Sequence, residues 1–121
     1  MSKNNNNKKY YVEPDEFHAE FELCKKLGSP STKLMIMFEK IARGMSRTFF
    51  SINKIDTEAG ISYAVTESWI KWKKYDINRS ENIFAFFTTV ISNDLKTYYN
   101  KLTKYKNRNV SIDAIFANNK H

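Results

Sequence analysis

The longest uninterrupted helical pattern of this sequence is NIFAFFTTVISNDLKTYYNKLTKYKNR, residues 82–108, which contains neither Gly nor Pro. Its large apolar side chains recur at separations of three and four residues, and this repeat places them along one side of an α-helix. The members of this row are Phe84, Phe87, Ile91, Leu95, Tyr98, Leu102 and Tyr105. A helix of this length has to bury the row against other elements, so the pattern predicts a helical bundle.

Two shorter helices are predicted in the first part of the chain. Pro14 and the two acidic residues behind it are typical of a helix start, and Gly28 is typical of a helix end. The next helix is expected to begin at Ser31 or Thr32, whose hydroxyl groups suit the N-cap position, and to run to about residue 50. Cys24 falls among the apolar positions of the first helix, which predicts a buried thiol and no redox role.

A third helix is predicted to begin at Asp56 or Thr57. Its apolar side is expected to carry Ile61, Val65, Trp69 and Trp72. A polar break over residues 73–79 separates this helix from the long one, for which Ser80 is placed as the N-cap. Since no alternating pattern of a strand is found, the expected fold is all-α, a small bundle of about four helices.

The two ends of the chain differ from this central part. Residues 1–12 are rich in Asn and Lys and predict a disordered basic arm. Residues 13–110 form the predicted helical domain, and residues 111–121 are predicted to be a short hydrophobic and acidic tail. No apolar run approaches the roughly 20 residues that span a bilayer, and the N-terminus has no signal-peptide pattern. We therefore expect no membrane contact and a cytoplasmic location.

The charge balance of the chain indicates the kind of partner it binds. The 121 residues include 20 Lys and Arg against 13 Asp and Glu, a net charge of +7 that suits a polyanion such as nucleic acid. His18 and His121 stand apart from any Cys or acidic residues with metal-ligand spacing, and the sequence has no Gly-rich phosphate loop and no nucleophile paired with a base. We expect neither an enzyme nor a metal or other cofactor.

The long helix has a second face outside its apolar row. Its members are Phe86, Thr89, Val90, Asn93, Lys96, Thr97, Asn100 and Lys104, and the basic residues toward its end also include Lys101, Lys106 and Arg108. A helix face that combines a ring with basic side chains can pair base stacking with phosphate contacts, the chemistry of single-stranded or opened DNA recognition. The alternative is a solvated basic helix with one surface Phe.

Three segments in order resemble a known family: LMIMFEKIARGMSRTFF, INKIDTEAGISYAVTESWIKWKKYD and NIFAFFTTVISNDLKTYYNK. Over residues 31–110 they are similar to region 2 of bacterial sigma factors, in particular the reduced late sigma factors of T-even-type phages. The resemblance implies a phage-encoded factor that binds host core RNA polymerase. It would direct recognition and melting of an AT-rich minus-ten promoter element in late transcription. No second helical module follows, so no minus-thirty-five contact is expected.

The resemblance also implies a polymerase-docking helix. Residues 56–73 correspond to the part of region 2 that docks on the coiled coil of the largest polymerase subunit. The docking candidates are Asp56, Glu58, Ser62, Thr66 and Glu67. The chain departs from the family here, because the family's acid and amide positions fall on Ser62, Tyr63 and Val65.

On the long helix the resemblance implies promoter contacts. Phe86 corresponds to the aromatic residue that stacks on an unpaired base of the minus-ten element. Thr89 and Val90 stand where housekeeping sigma factors have a tryptophan pair, which implies weaker strand capture. Asn93 and Lys96 correspond to positions at the upstream edge of that element, and an Asn can pair bidentately with adenine.

The C-terminal segment SIDAIFANNKH allows two interpretations. Ile112, Asp113, Ile115 and Phe116 are similar to the tail by which T-even-type late sigma factors bind the sliding clamp of the replication machinery. In the other interpretation the segment begins a short helix that packs on the domain. For the whole chain, the alternatives to a sigma factor are a helix-turn-helix DNA-binding regulator and a polymerase adaptor that does not bind DNA.

Overall fold

The computed structural model describes residues 9–49, 52–76, 78 and 82–107. Four α-helices account for most of them: α1 Pro14–Leu27, α2 Thr32–Ser46, α3 Lys54–Lys74 and α4 Ile83–Asn107. These described residues contain no β-strand. The all-α class and the small bundle of four helices predicted from the sequence are therefore confirmed.

The first two helices begin where the sequence predicts. Pro14 is the first residue of α1, and Gly28 ends the helix with a left-handed backbone, φ 87°. The Ser31 side chain accepts a hydrogen bond from the Leu34 N–H at 3.0 Å and so caps α2. The predicted end of α2 at about residue 50 is wrong, because the helix stops at Ser46 and the chain there continues into tighter turns.

The third helix begins earlier than the sequence predicts. The side chain of Asn53 accepts a hydrogen bond from the Asp56 N–H at 2.8 Å, so Asn53 is the N-cap and the predicted cap at Asp56 or Thr57 is three to four residues late. An Asn amide caps a helix as well as Asp or Thr does. Helix α4 begins at Ile83, and the Asn82 side chain accepts a hydrogen bond from the Ala85 N–H at 3.1 Å. Asn82 therefore caps α4 in place of the predicted Ser80.

The buried row of α4 differs in part from the predicted one. Its members are Ile83, Phe87, Ile91, Leu95 and Tyr99. Phe84 and Tyr98 are half-buried and pack against the core, whereas Leu102 is half-buried without joining it and Tyr105 is 47% exposed, so the prediction was wrong for the last two positions. The physical reason is that the contacts of α4 change along its length: its start packs against α1, and its C-terminal half packs against α3.

The centre of the bundle is aromatic. The Phe87 ring lies 5.4 Å from the Phe38 ring of α2, 5.2 Å from the Phe21 ring of α1 and 5.7 Å from the Tyr75 ring after α3. Each such pair contributes roughly 0.5–1.5 kcal/mol beyond the burial of its area. Cys24 is fully buried at the edge of this core, as predicted. Phe87 of α4 therefore joins three parts of the fold.

Helices α3 and α4 lie antiparallel along their whole shared length. At one end the Tyr99 hydroxyl donates to the Thr57 carbonyl oxygen at 2.8 Å, and at the other the Tyr75 ring contacts Phe87. Gly60 lets the two helices approach, because a Cβ there would lie 2.4 Å from the Tyr99 ring. This close contact fixes the position of α4, which carries the predicted DNA-binding face.

The segment before α1 packs on the bundle. Val12 is buried in the core, and the Cβ of Tyr10 would lie 3.4 Å from a Cβ added at Gly44 of α2. The Arg47 guanidinium lies 6.0 Å from the Tyr10 ring centroid. Within the described part of the chain, no helix has both the length and the apolar character needed to cross a membrane.

Candidate nucleic-acid interface

The second face of α4 is exposed as a continuous row. Its exposed members, all predicted from the sequence, are Thr89, Asn93, Lys96, Thr97, Asn100 and Lys104. They are separated by four, three, one, three and four residues and therefore share one side of the helix. We call these six residues the α4 polar row. Lys101 is exposed as well, but it is displaced toward the side of α4 that packs on α3.

The apolar members of the predicted face are less accessible than its polar members. Phe86 is half-buried, with its ring 5.1 Å from the Tyr75 ring and 5.2 Å from the Phe87 ring. Val90 is half-buried too. The Phe86 ring is thus held in place by its neighbours, and only part of it remains available to a ligand.

Asp94, the one acidic residue in the sequence of α4, lies beside α3 and outside the polar row. Burial raises the pKa of its carboxyl above the ordinary value; Lys71 opposes this rise and Glu67 adds to it. One carboxylate oxygen is buried and has no hydrogen-bond partner among the described residues. The neighbouring Tyr63 of α3, whose ring contacts Tyr98, has its pKa raised by burial and then by Glu67 and Asp94.

The lysines of the polar row consequently carry a positive charge that is not neutralised locally. Within the described residues, no carboxylate lies within ion-pair distance of Lys96 or Lys104. Their ammonium groups are exposed to solvent. An elongated row of amide, hydroxyl and ammonium groups of this kind can bind the phosphates and base edges of a nucleic acid.

Some of the predicted site residues lie at or beyond Asn107, the last residue that the structure describes. Lys106 belongs to the last turn of α4, and its side chain is outside the described part. Arg108 and the predicted clamp-binding residues Ile112, Asp113, Ile115 and Phe116 lie outside the described residues altogether. The predicted arm is described only from residue 9 onward.

The predicted docking residues lie mainly in a groove between α2 and α3. Glu58, Ser62 and Thr66 line this groove, whose volume is about 370 Å³, and Ile61 and Val65 are also part of its lining. Ser62 and Thr66 are exposed. Asp56, half-buried in the first turn of α3, and Glu67, 3.7 Å from the Lys71 ammonium, do not line the groove.

Two charged residues of the groove come from α2 and were not identified from the sequence. Arg43 donates to both carboxylate oxygens of Glu58, at 2.6 and 3.0 Å, and to Glu39 at 2.8 Å. The Arg43 hydrogen bond lowers the pKa of the Glu58 carboxyl, and these bonds raise the pKa of the Arg43 guanidinium. The four-residue spacing of Glu39 and Arg43 was the available signal, because it places both side chains on one helix side.

Trp69 was predicted on the apolar side of α3 and is instead 37% exposed, so that prediction is wrong, whereas Trp72 is buried as expected. The Lys73 ammonium lies 4.2 Å from the Trp69 ring centroid, a cation–π contact at the surface. Lys25 of α1 reaches the end of α3, where it donates to the carbonyl oxygen of Trp72. Burial lowers the pKa of the Lys25 ammonium, and Asp76 opposes this shift.

No metal centre competes with this interpretation in the described part of the chain, where no three His, Cys, Asp or Glu side chains converge as metal ligands. Comparisons with protein-family models, with curated proteins and with solved structures give no match for this chain. The site is therefore defined by its own residues: a basic polar row on α4 and a charged groove between α2 and α3.

Proposed function

We propose that this chain is a phage-encoded sigma factor that binds host core RNA polymerase and directs recognition and melting of an AT-rich minus-ten promoter element in late transcription. The observation that carries the proposal is the exposed polar row of α4. Two lysines and two asparagines stand there on one helix side, while the acidic residue of α4 packs toward α3. Lysines in such a row contact phosphates, and asparagines can read an adenine edge.

The separation of the two surfaces also supports the proposal. The polar row belongs to α4, whereas Ser62 and Thr66 line the groove between α2 and α3. A factor that holds a polymerase and a DNA strand at the same time needs two such surfaces. The proposal assigns the α2–α3 groove to the coiled coil of the largest polymerase subunit and the polar row to DNA.

The packing of α3 and α4 favours this proposal over a helix-turn-helix regulator. The two helices of that motif cross at about 90–120° after a turn of three or four residues. Here α3 and α4 run antiparallel, with contacts from Thr57 and Tyr99 at one end to Tyr75 and Phe87 at the other. Eight residues, 75–82, lie between Lys74 and Ile83, so the connection is also too long for that motif.

Docking can be tested by gel filtration of the full chain with core RNA polymerase. Ser62→Arg places a bulky cation in the α2–α3 groove, and Ser29→Arg makes the same change at an exposed position between α1 and α2. We expect the wild type and Ser29→Arg to co-elute with the polymerase and Ser62→Arg to lose most of this binding. Equal co-elution of both variants, with unchanged circular dichroism, would contradict the assignment of the groove.

Promoter opening can be tested by transcription from two AT-rich templates, one fully duplex and one unpaired in advance over the minus-ten element. We expect the chain to stimulate core polymerase on both templates, with a preference for the AT-rich element. A chain that binds polymerase but leaves transcription and DNA binding unchanged would be an adaptor. Tight binding to intact duplex DNA without polymerase would indicate a regulator of another kind.

A further inference from the structure

A narrow cleft lies between the C-terminal end of α2 and the middle of α4. Its volume is about 150 Å³, and its lining residues are Met45, Thr48, Phe49, Ser92, Leu95 and Lys96. Only Lys96 belongs to the face predicted from the sequence. The cleft therefore opens beside the α4 polar row, and the two share one ammonium group.

The wall of the cleft is apolar and well supported. Leu95 is fully buried and forms part of the core, while Met45 and Phe49 pack against that core and are half-buried. The Phe49 ring lies 4.7 Å from the Tyr99 ring at an interplanar angle of 55°. An aromatic ring and a thioether held in this way offer a planar ligand a surface on which to stack.

The rim of the cleft is polar. The Thr48 hydroxyl donates its hydrogen to the Met45 carbonyl oxygen at 2.9 Å, so its oxygen keeps lone pairs that can accept from a ligand N–H. Ser92 supplies a second hydroxyl, and the exposed Lys96 supplies a positive charge. The lining thus combines a stacking surface, hydrogen-bonding groups and a cation within one small volume.

The size of the cleft selects among ligands with that chemistry. Pockets for drug-sized molecules begin at about 300 Å³, roughly twice this volume. A single heterocyclic ring system is the ligand that matches both the volume and the lining. Because Lys96 also belongs to the basic polar row, the ring most compatible with this position is a base of a nucleic-acid strand that lies along the row.

We propose that this cleft binds one unpaired base of the DNA strand that follows the α4 polar row, with the base against Met45 and Phe49 and its phosphate at Lys96. The proposal rests on the proposed function and specifies where an opened strand is held. It assigns binding roles to Met45, Thr48, Phe49 and Ser92, which are separate from Phe86 at the start of α4. An unpaired base is required, because a paired base cannot leave the duplex to enter a cleft without unstacking.

The test compares two fluorescent ten-nucleotide single strands, oligothymidylate and the same backbone without bases, by anisotropy at low salt. Ser92→Leu fills the cleft, whereas Ala59→Leu adds the same side chain to an exposed position of α3. We expect Ser92→Leu to weaken binding of oligothymidylate about fivefold or more, the lower range of base stacking, and to leave the abasic strand unaffected. Ala59→Leu should bind both strands as the wild type does.

A second measurement needs no substitution in the cleft. In the wild-type chain, a strand with 5-iodouracil should form photo-cross-links to the tryptic peptides of residues 44–47 and 48–54, which contain Met45 and Phe49. Cross-links confined to other peptides, together with equal binding by Ser92→Leu and wild type, would overturn the proposal. A Ser92→Leu variant that keeps DNA binding but no longer co-elutes with polymerase would also overturn it, since the cleft would then dock protein.

The outcomes separate the cleft from the wider function. If the wild type binds oligothymidylate with a clear salt dependence and Ser92→Leu does the same, only the cleft is rejected. If the wild type binds neither strand, alone or with core polymerase, the sigma-type function is rejected and the cleft with it. If Ser92→Leu weakens binding of both strands equally, the cross-links of the wild-type chain decide: cross-links to residues 44–47 or 48–54 support the cleft, and their absence rejects it.

Discussion

The contact between Gly60 and Tyr99 sets the distance between α3 and α4, and replacing Gly60 by Ala tests it directly. A Cβ at residue 60 would lie 2.4, 2.5 and 2.6 Å from three atoms of the Tyr99 side chain, which is only 1% exposed and has little room to move. Overpacking of this kind costs about 1–3 kcal/mol. Ala is favoured over Gly inside a helix by roughly 1 kcal/mol, which offsets part of that cost.

We therefore expect Gly60→Ala to lower the free energy of unfolding by up to about 2 kcal/mol, the difference between these two effects. For a domain of this size each 1 kcal/mol of that loss should lower the melting temperature by roughly 4–8 °C, measurable by circular dichroism. Gly44→Ala is the matched control, since its Cβ would meet its nearest neighbour at 3.4 Å. At that position the helix propensity of Ala should leave stability unchanged or raise it by up to about 1 kcal/mol.

The close contact can be isolated with a second substitution. In a Tyr99→Leu background the ring is absent, so Gly60→Ala should cost less than it does in the wild type, and the difference is the coupling energy between the two positions. The hydrogen bond from Tyr99 to the Thr57 carbonyl is absent from both proteins compared in the Tyr99→Leu background, so its loss does not contribute to the cost of Gly60→Ala measured there. A melting temperature of Gly60→Ala at or above the wild-type value, or the same loss in both backgrounds, would refute the reasoning.

Four further predictions concern the site and the end of the chain. Lys96→Gln and Lys104→Gln should each flatten the salt dependence of DNA binding by about one unit of the log–log slope, measured by titration at several salt concentrations; unchanged slopes would exclude phosphate contacts. Phe86→Ala should impair transcription from the duplex template more than from the template unpaired in advance, because base stacking is used only once a base is free; equal effects would assign the ring to packing alone. Because the pKa of the Asp94 carboxyl is raised, the folded state keeps this proton to higher pH than the unfolded state does, and the group lowers the stability of the fold as pH rises above about 4. Asp94→Asn should therefore raise the urea midpoint of unfolding at pH 7 and make that midpoint less dependent on pH. Deletion of residues 111–121 should abolish clamp-stimulated transcription and preserve basal transcription if the tail binds the clamp; an equal fall of both would contradict this.

The helix content of this protein follows from local sequence signals. Pro14, Gly28 and Ser31 were identified correctly because each acts through its own backbone geometry or through a hydrogen bond only a few residues away. The six exposed positions of the α4 polar row also followed from the sequence, since a polar face needs only the helical repeat to be placed opposite an apolar one.

The caps of the two later helices show a limit of such local reasoning. Asn53 and Asn82 compete with nearby residues that are equally good N-caps, and the choice among them depends on where the chain enters the bundle. The exposure of Trp69 has a related origin, because the apolar residues of α3 are spread around the helix and only the positions of the other helices decide which of them become buried.

The sequence by itself determined the helices, the positive charge and the polar face of α4, because these depend on neighbours three or four residues apart and on composition. Only the tertiary structure decided that Ile83 and Tyr99 complete the buried row of α4 and that Arg43 binds Glu58. It also decided that Met45 of α2 and Phe49 beyond its end form a cleft with Ser92 of α4. Each of these features depends on packing between helices that are distant in the chain. That packing depends on how large and small side chains such as Tyr99 and Gly60 fit together, and no local repeat encodes this fit.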